Sequence, residues 1–182
     1  MSQPGAFTVL LVPGSWHVPA HYECIAKELQ SQGISASTLL LPTCDLSHAS
    51  ILDLNHPDLA GPRPSEPWPD MYADAHAICE KLSQLVEAGN SVLLVAHSYG
   101  GLPASEALLP ELCFQARKKD GKPGGVIGFF AIASFFLPAG MTTVQAVGGE
   151  PLPTTPEQVS NTHGFFFISS NNLNLTKALV RC

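Results

Sequence analysis

SVLLVAHSYGGLPASEAL, residues 91–108, carries three local signals in succession. Val92, Leu93, Leu94 and Val95 form an unbroken apolar run, which predicts a short strand buried on both faces. Ala96-His97-Ser98-Tyr99-Gly100-Gly101 follows at once, and beyond it Leu102, Ala107 and Leu108 mark the inner face of a helix. A strand that turns sharply into a helix places Ser98 at the apex of a strained turn, with its hydroxyl above the sheet edge. The strand and the helix then pass so closely that the positions two before and two after the serine must be small. They are Ala96 and Gly100, alanine standing where the G-x-S-x-G pattern has its first glycine. The helix start leaves the Tyr99 N–H without an intrahelical acceptor, which makes it a candidate donor to a developing oxyanion. His97 is adjacent to the serine, but neighbours at a strand end point to opposite sides, so we read it as structural.

The bulk properties narrow the rest. A chain of 182 residues with 45% hydrophobic content can bury one good core and is too short for two domains of ordinary size. A net charge of -6 with only nine Lys and Arg argues against nucleic acid and against an anionic membrane surface. The basic run Arg117-Lys118-Lys119, beside Asp120, reads as a solvated loop. Five scattered cysteines without C-x-x-C spacing predict reduced thiols in a cytoplasmic protein, neither a disulfide framework nor a metal site. No targeting segment or membrane span is legible, since the apolar run at 7–12 is too short for either.

Outward from the central stretch, residues 7–12 read as a buried strand ended by Pro13-Gly14-Ser15-Trp16-His17. From Pro19, Ala20, Cys24, Ile25 and Leu29 mark one face of a helix ending near Gly33, and residues 37–41 give a second strand closed by Pro42. This βαβ unit requires a parallel sheet with helices on its faces. The turn at Gly14 has neither G-x-G-x-x-G nor a G-x-x-x-x-G-K-[ST] loop, so no nucleotide cofactor is expected. Residues 43–70 are rich in proline and predict a long surface excursion, with room for one short helix near 47–54. Asp70 caps a helix to about Glu87, with Ala73, Ala77, Ile78, Leu82, Leu85 and Val86 inward and Gly89 as its stop. Residues 111–125 are polar and Gly-rich, and 126–136 read as another buried strand. The expected fold is a three-layer α/β/α arrangement on a mostly parallel sheet, in one domain over 1–168.

These residues resemble the α/β-hydrolase superfamily, in particular its compact serine esterase and hydroxynitrile-lyase-like branch, over about residues 7–153. The resemblance is carried by Pro13-Gly14-Ser15-Trp16-His17, by the elbow Ala96-His97-Ser98-Tyr99-Gly100-Gly101 and by Phe135-Phe136-Leu137-Pro138. The first resembles the family's His-Gly oxyanion turn with Pro13 in place of histidine. The resemblance implies Ser98 as nucleophile and the backbone N–H groups of Ser15 and Tyr99 as the oxyanion hole. Gly14, Ala96, His97, Gly100 and Gly101 shape the elbow, and Trp16 borders an apolar substrate pocket. Residues 137–164 are similar to the start of the family's cap, and 169–182 form an atypical tail.

The resemblance also implies two further strands, the first followed by a catalytic acid and the second by a catalytic histidine. The chain therefore reads as an incomplete version of the fold with about four core strands, truncated before the last two. His163 is the only histidine after the elbow, and it lies in the cap-like region. Without a general base Ser98 is a weak nucleophile. The expectation is a protein built for small-molecule esters or other acyl substrates, without cofactor, weakly active or inactive as it stands. Two alternatives stay open: a hydroxynitrile lyase-like enzyme, and a non-catalytic small-molecule-binding protein. The unpaired edge left by missing strands invites a homodimer through that edge.

Overall fold

A computed structural model describes residues 7–48 and 68–137. Four strands, β1 (Thr8–Val12), β2 (Ser35–Thr38), β3 (Ser91–His97) and β4 (Gly125–Ile132), form an all-parallel sheet in the order β2-β1-β3-β4. The helices are α1 (Glu23–Ser31), α2 (Met71–Glu87), α3 (Gly101–Ala107) and α4 (Phe114–Lys119). Two clusters of buried residues occupy the two faces of the sheet. Leu10, Val12, Leu94 and Val126 pack with Ile78, Leu82 and Val86 of α2, while Val9, Leu11 and Val95 pack with Tyr22 and, partly buried, Leu29. The alternation along β1 sends consecutive residues to opposite layers, as a strand covered on both faces requires. Burying each of the fully enclosed Leu10, Leu94, Ile78 and Leu82 stabilises the fold by about 2 kcal/mol.

The strand order puts the functional end of the sheet in a definite place. From β1 the chain crosses to β2 on one side; from β3 it crosses to β4 on the other. The reversal falls between β1 and β3, and a crevice at such a switch point, beyond the carboxyl ends of the strands, is where open α/β sheets bind ligands. Val12 pairs in register with Ala96, so Pro13-Gly14-Ser15 and His97-Ser98-Tyr99 leave the sheet side by side.

Helix α2 follows the expected rules. Asp70 caps it, its carboxylate accepting from Tyr72 N–H at 2.9 Å and Ala73 N–H at 3.0 Å, and Gly89 at φ 85° ends it. Its buried face is Ala75, Ile78, Leu82 and Val86, with Asp74 beside them, whereas Ala73, Ala77 and Leu85, expected inward, are only half-buried.

Several expectations are corrected. The helix after Pro19 opens with a 3-10 turn over Pro19–Tyr22, and its inner face is Tyr22, Ala26 and Leu29, while Cys24 and Ile25 are exposed. Tyr22 is pinned from within by hydrogen bonds, and that anchor sets the helix phase. The second strand is Ser35–Thr38, not 37–41, because Ser35 is the residue that falls in register with Thr8. Leu46–His48 is a 3-10 turn; the rest of the short helix expected near 47–54 lies outside the described residues.

The segment 111–125 is not simply polar loop. It holds α4, and Arg117 is 3% exposed rather than solvated. β4 starts at Gly125 and ends at Ile132, where Ala133 turns to φ 42°. The cap-like residues beyond Leu137, with His163 and the tail at 169–182, lie outside the described residues. Among the described residues, no helix is long and apolar enough to cross a membrane.

Candidate active site

Ser98 sits at φ 52°, in the left-handed region that a non-glycine residue enters only under constraint. The constraint is steric closeness. A Cβ on Gly100 would stand 2.3 Å from the Pro13 carbonyl oxygen and 2.9 Å from that of Val12. The helix thus starts directly against the exit of β1, and Ala96, fully buried, supplies the matching small residue on the strand side. Among the described residues the other non-glycine positions with positive φ are Trp16 at 59° and Ala133 at 42°. All three lie just past the carboxyl ends of β1, β3 and β4, where strain is concentrated at one end of the sheet.

The peptide between Ser98 and Tyr99 is held by its carbonyl. Ser98 C=O accepts the Phe135 N–H at 3.1 Å and the Ser134 Oγ–H at 2.7 Å. The peptide is trans, so fixing the carbonyl also fixes the opposite direction of the Tyr99 N–H.

The turn after β1 is clamped to the elbow through a chain of polar contacts. His17 N–H closes the turn onto Gly14 C=O at 3.2 Å, and His17 Nδ1 donates to Ser15 C=O at 2.7 Å. Gly14 N–H donates to Tyr22 Oη at 3.0 Å, which leaves the hydroxyl proton of Tyr22 for His97 Nδ1 at 2.8 Å. A Cβ on Gly14 would lie 3.1 Å from both Ser98 Cβ and His97 Nδ1, so the turn rests against the serine. Burial, and secondly the neighbouring His17, hold His97 below the ordinary imidazole range. Burial pushes the Tyr22 hydroxyl up. A neutral His97 accepting from Tyr22 fits both directions, and its Nδ1 is then engaged away from Ser98.

On the other side of the serine, Tyr99 Oη donates to Asp74 Oδ2 at 2.8 Å. The same carboxylate accepts Thr43 N–H at 2.9 Å and Thr43 Oγ1–H at 2.7 Å. Burial first, and then the bond to Asp74, push the Tyr99 hydroxyl well above the ordinary phenol range. Ser15, Trp16, Thr43, Cys44 and Tyr99 line a cleft of about 230 Å³. Trp16 is 91% exposed at its rim.

The structure therefore brings Gly14, Ser15, Trp16, His97, Ser98, Tyr99, Gly100 and Gly101 together at the ends of β1 and β3. Among the described residues no side chain hydrogen-bonds to Ser98 Oγ, and no three His, Cys, Asp or Glu side chains converge as a metal site. Tyr22, Thr43, Asp74 and Ser134 are structural partners of the site that no local sequence motif announces. Only Tyr22 left a usable trace, as an aromatic one turn into the helix that follows the Gly14 turn.

A sharp strand-to-helix turn with Ser98 at its apex stands at the switch point of a parallel sheet, beside a cleft. The sequence model of the alpha/beta hydrolase family matches residues 9–174, and the chain belongs to that family. It is 25% identical over 151 residues to "Alpha/beta hydrolase nvfD" of Aspergillus novofumigatus, covering 83% of this chain and 50% of that protein. It is 31% identical over 100 residues to "Probable hydrolase R7" of a Phoma species, covering 55% of this chain and 34% of that protein. The chain thus spans half, or less, of the length of these relatives. Among solved structures, an extracellular alpha/beta-hydrolase from a Paenibacillus species aligns with a TM-score of 0.49 and 14% identity, over 76% of this chain and 45% of that one. A polyneuridine aldehyde esterase variant aligns with the same TM-score and identity, over 76% and 44%.

Proposed function

We propose that this chain carries the nucleophile and oxyanion donors of a serine hydrolase acting on small-molecule esters or related acyl compounds. The observation that carries the reading is Ser98 at φ 52°, wedged between Gly100, Gly14 and the exit of β1. In this reading Ser98 Oγ attacks an acyl carbonyl, and the negative charge forming on the carbonyl oxygen meets the N–H groups of Ser15 and Tyr99. Trp16, Cys44 and Tyr99 contact the acyl or leaving group in the cleft. Oxyanion donors placed in advance lower the barrier because they need no reorganisation at the moment of reaction.

The proton of Ser98 needs an acceptor, and His97 is engaged by Tyr22. The reactivity proposed for the described residues is therefore that of a positioned serine with its oxyanion donors, weak until a base is within reach. His163, outside the described residues, is the histidine of this chain to test for that role. Five scattered cysteines without C-x-x-C spacing favour a reducing, cytoplasmic setting.

The test is intact-mass labelling of the purified chain with a fluorophosphonate. Addition of one phosphonyl group, absent in Ser98→Ala and slowed in His163→Ala, supports the reading and identifies the base. A folded chain that takes up no label overturns it and favours a small-molecule-binding protein on the same scaffold.

A further inference from the structure

We infer that Asp74 is a positioning residue for the reaction proposed at Ser98, its carboxylate tying Tyr99, the carrier of one oxyanion N–H, to Thr43 in the wall of the cleft. The inference rests on the functional reading of Ser98 given above.

Asp74 is 0% exposed. A buried carboxylate is costly unless donors meet it, and this one is met by three, Thr43 N–H, Thr43 Oγ1–H and Tyr99 Oη–H. Near the start of a helix an acidic side chain ordinarily serves as cap or dipole partner, but Asp70 already caps α2 with its own carboxylate. Asp74 is therefore left free to point inward, and all of its donors come from two residues that line the cleft. None of them belongs to α2.

The consequence is mechanical. Tyr99 is fixed at both ends, its ring by Asp74 and its peptide through the Ser98 carbonyl, which Phe135 N–H and Ser134 Oγ–H hold. With both ends fixed the Tyr99 N–H cannot swing away from the crevice. Thr43 is bound twice to the same carboxylate, so one side chain sets both the direction of an oxyanion donor and the position of the cleft wall. Side chains locked by a second layer of hydrogen bonds are what keep a reacting geometry within tolerance. The charge itself stands a full tyrosine side chain away from the Tyr99 N–H and is stabilised locally by its three donors.

The test uses the full chain and the maximal rate constant and half-saturation of fluorophosphonate labelling at Ser98. Asp74→Asn keeps the size but offers an NH2 group where two hydroxyls need an acceptor. Tyr99→Phe removes one donor and leaves the carboxylate otherwise met. We expect the maximal rate to fall about tenfold in Asp74→Asn and about threefold in Tyr99→Phe, with half-saturation changing by less than the rate in each. The Cζ resonance of 13C-labelled Tyr99 should also move toward that of free tyrosine in Asp74→Asn. If Asp74→Asn does not fold, Tyr99→Phe decides alone.

A purely structural Asp74 would lower the melting temperature and leave the rate of the folded variants untouched, which overturns the inference. So does a faster reaction in Asp74→Asn, which would mean that the charge merely opposed the oxyanion. In both cases the unaltered chain is labelled, and the functional reading stands. An unlabelled, folded, unaltered chain overturns that reading and this inference together.

Discussion

Helix α2 holds a buried charge at each end, and the two are used differently. Near its start Asp74 is bound by Thr43 and Tyr99, residues of the cleft at the carboxyl ends of the strands. Beyond its last turn Arg117, 3% exposed, lies across the opposite end of the sheet. Its guanidinium donates to Glu87 Oε1 at 2.7 Å, to Val86 C=O at 3.2 Å and to Pro123 C=O at 3.1 Å. Both charges suit the helix dipole, acid near the N-terminus and base near the C-terminus. Arg117, however, satisfies carbonyls that end α2 and lead into β4, so it serves the scaffold alone. Asp74 binds groups that border a crevice. A buried charge is read by the company its partners keep, not by its own burial.

Two glycines give this contrast its strongest test. A Cβ on Gly100 meets the Pro13 carbonyl at 2.3 Å; a Cβ on Gly124, at φ 69°, meets the carbonyls of Asn90 and Val86 at 2.7 Å each. Backbone cannot yield as a flexible side chain does, so Gly100→Ala and Gly124→Ala should each destabilise the fold by about 3 kcal/mol in urea unfolding. In the folded fraction of each, only Gly100→Ala should lose labelling at Ser98, to below about one hundredth of the unaltered rate. Equal losses in both variants would break the division between a working end and a supporting end.

Next in size is Arg117→Met. The methionine replaces the buried stem but takes the guanidinium donors from Pro123 C=O and leaves Val86 C=O to the Gly89 N–H, a loss of about 2 kcal/mol. Glu87, whose carboxyl the hydrogen bond and charge of Arg117 hold below the usual range, should titrate nearer its ordinary value. NMR of the glutamate side chains reads this directly. Labelling per folded molecule should not change.

Tyr22→Phe acts at the working end with a smaller effect on stability. It removes one hydroxyl that both accepts from Gly14 N–H and donates to His97, and should cost about 1 kcal/mol. Because the Gly14 turn carries Ser15, labelling should slow severalfold as well. A stability loss without any slowing would show that the turn keeps its place unaided.

How much of this was legible beforehand depends on whether a feature is local in the chain. The elbow was legible because strand, apex and small residues are contiguous from Val92 to Gly101, each position answering a steric demand from its immediate neighbours. The parallel sheet followed from the βαβ spacing. Asp74 was not legible, since an acid in the first turn of an amphipathic helix is what solvent-exposed helices also show. Its meaning comes from Thr43 and Tyr99, 31 and 25 residues away in sequence. Arg117 was hidden in a basic run on a helix of six residues, too short for an apolar period to declare itself. Tyr22 was displaced by a wrong helix phase, because the 3-10 turn at Pro19–Tyr22 rotates the face away from Cys24 and Ile25.

The smallest effect concerns pH and the neutral His97. Burial, helped by His17, lowers its folded value below the ordinary 6.5, whereas in the unfolded chain it titrates normally. Between those two values the unfolded state holds the extra proton, so acidification favours unfolding. The contribution is complete above about pH 6.5, declines as pH falls through that value toward the lowered folded one, and then levels off. Protonation also puts a hydrogen on Nδ1, where the Tyr22 hydroxyl proton already points, and the clamp on the Gly14 turn must rearrange. The melting temperature should therefore drop on going from about pH 7 to pH 5, and His97→Phe should flatten that slope while lowering the plateau. A slope that survives in His97→Phe would overturn this assignment and place the pH-sensitive element away from the base of the elbow.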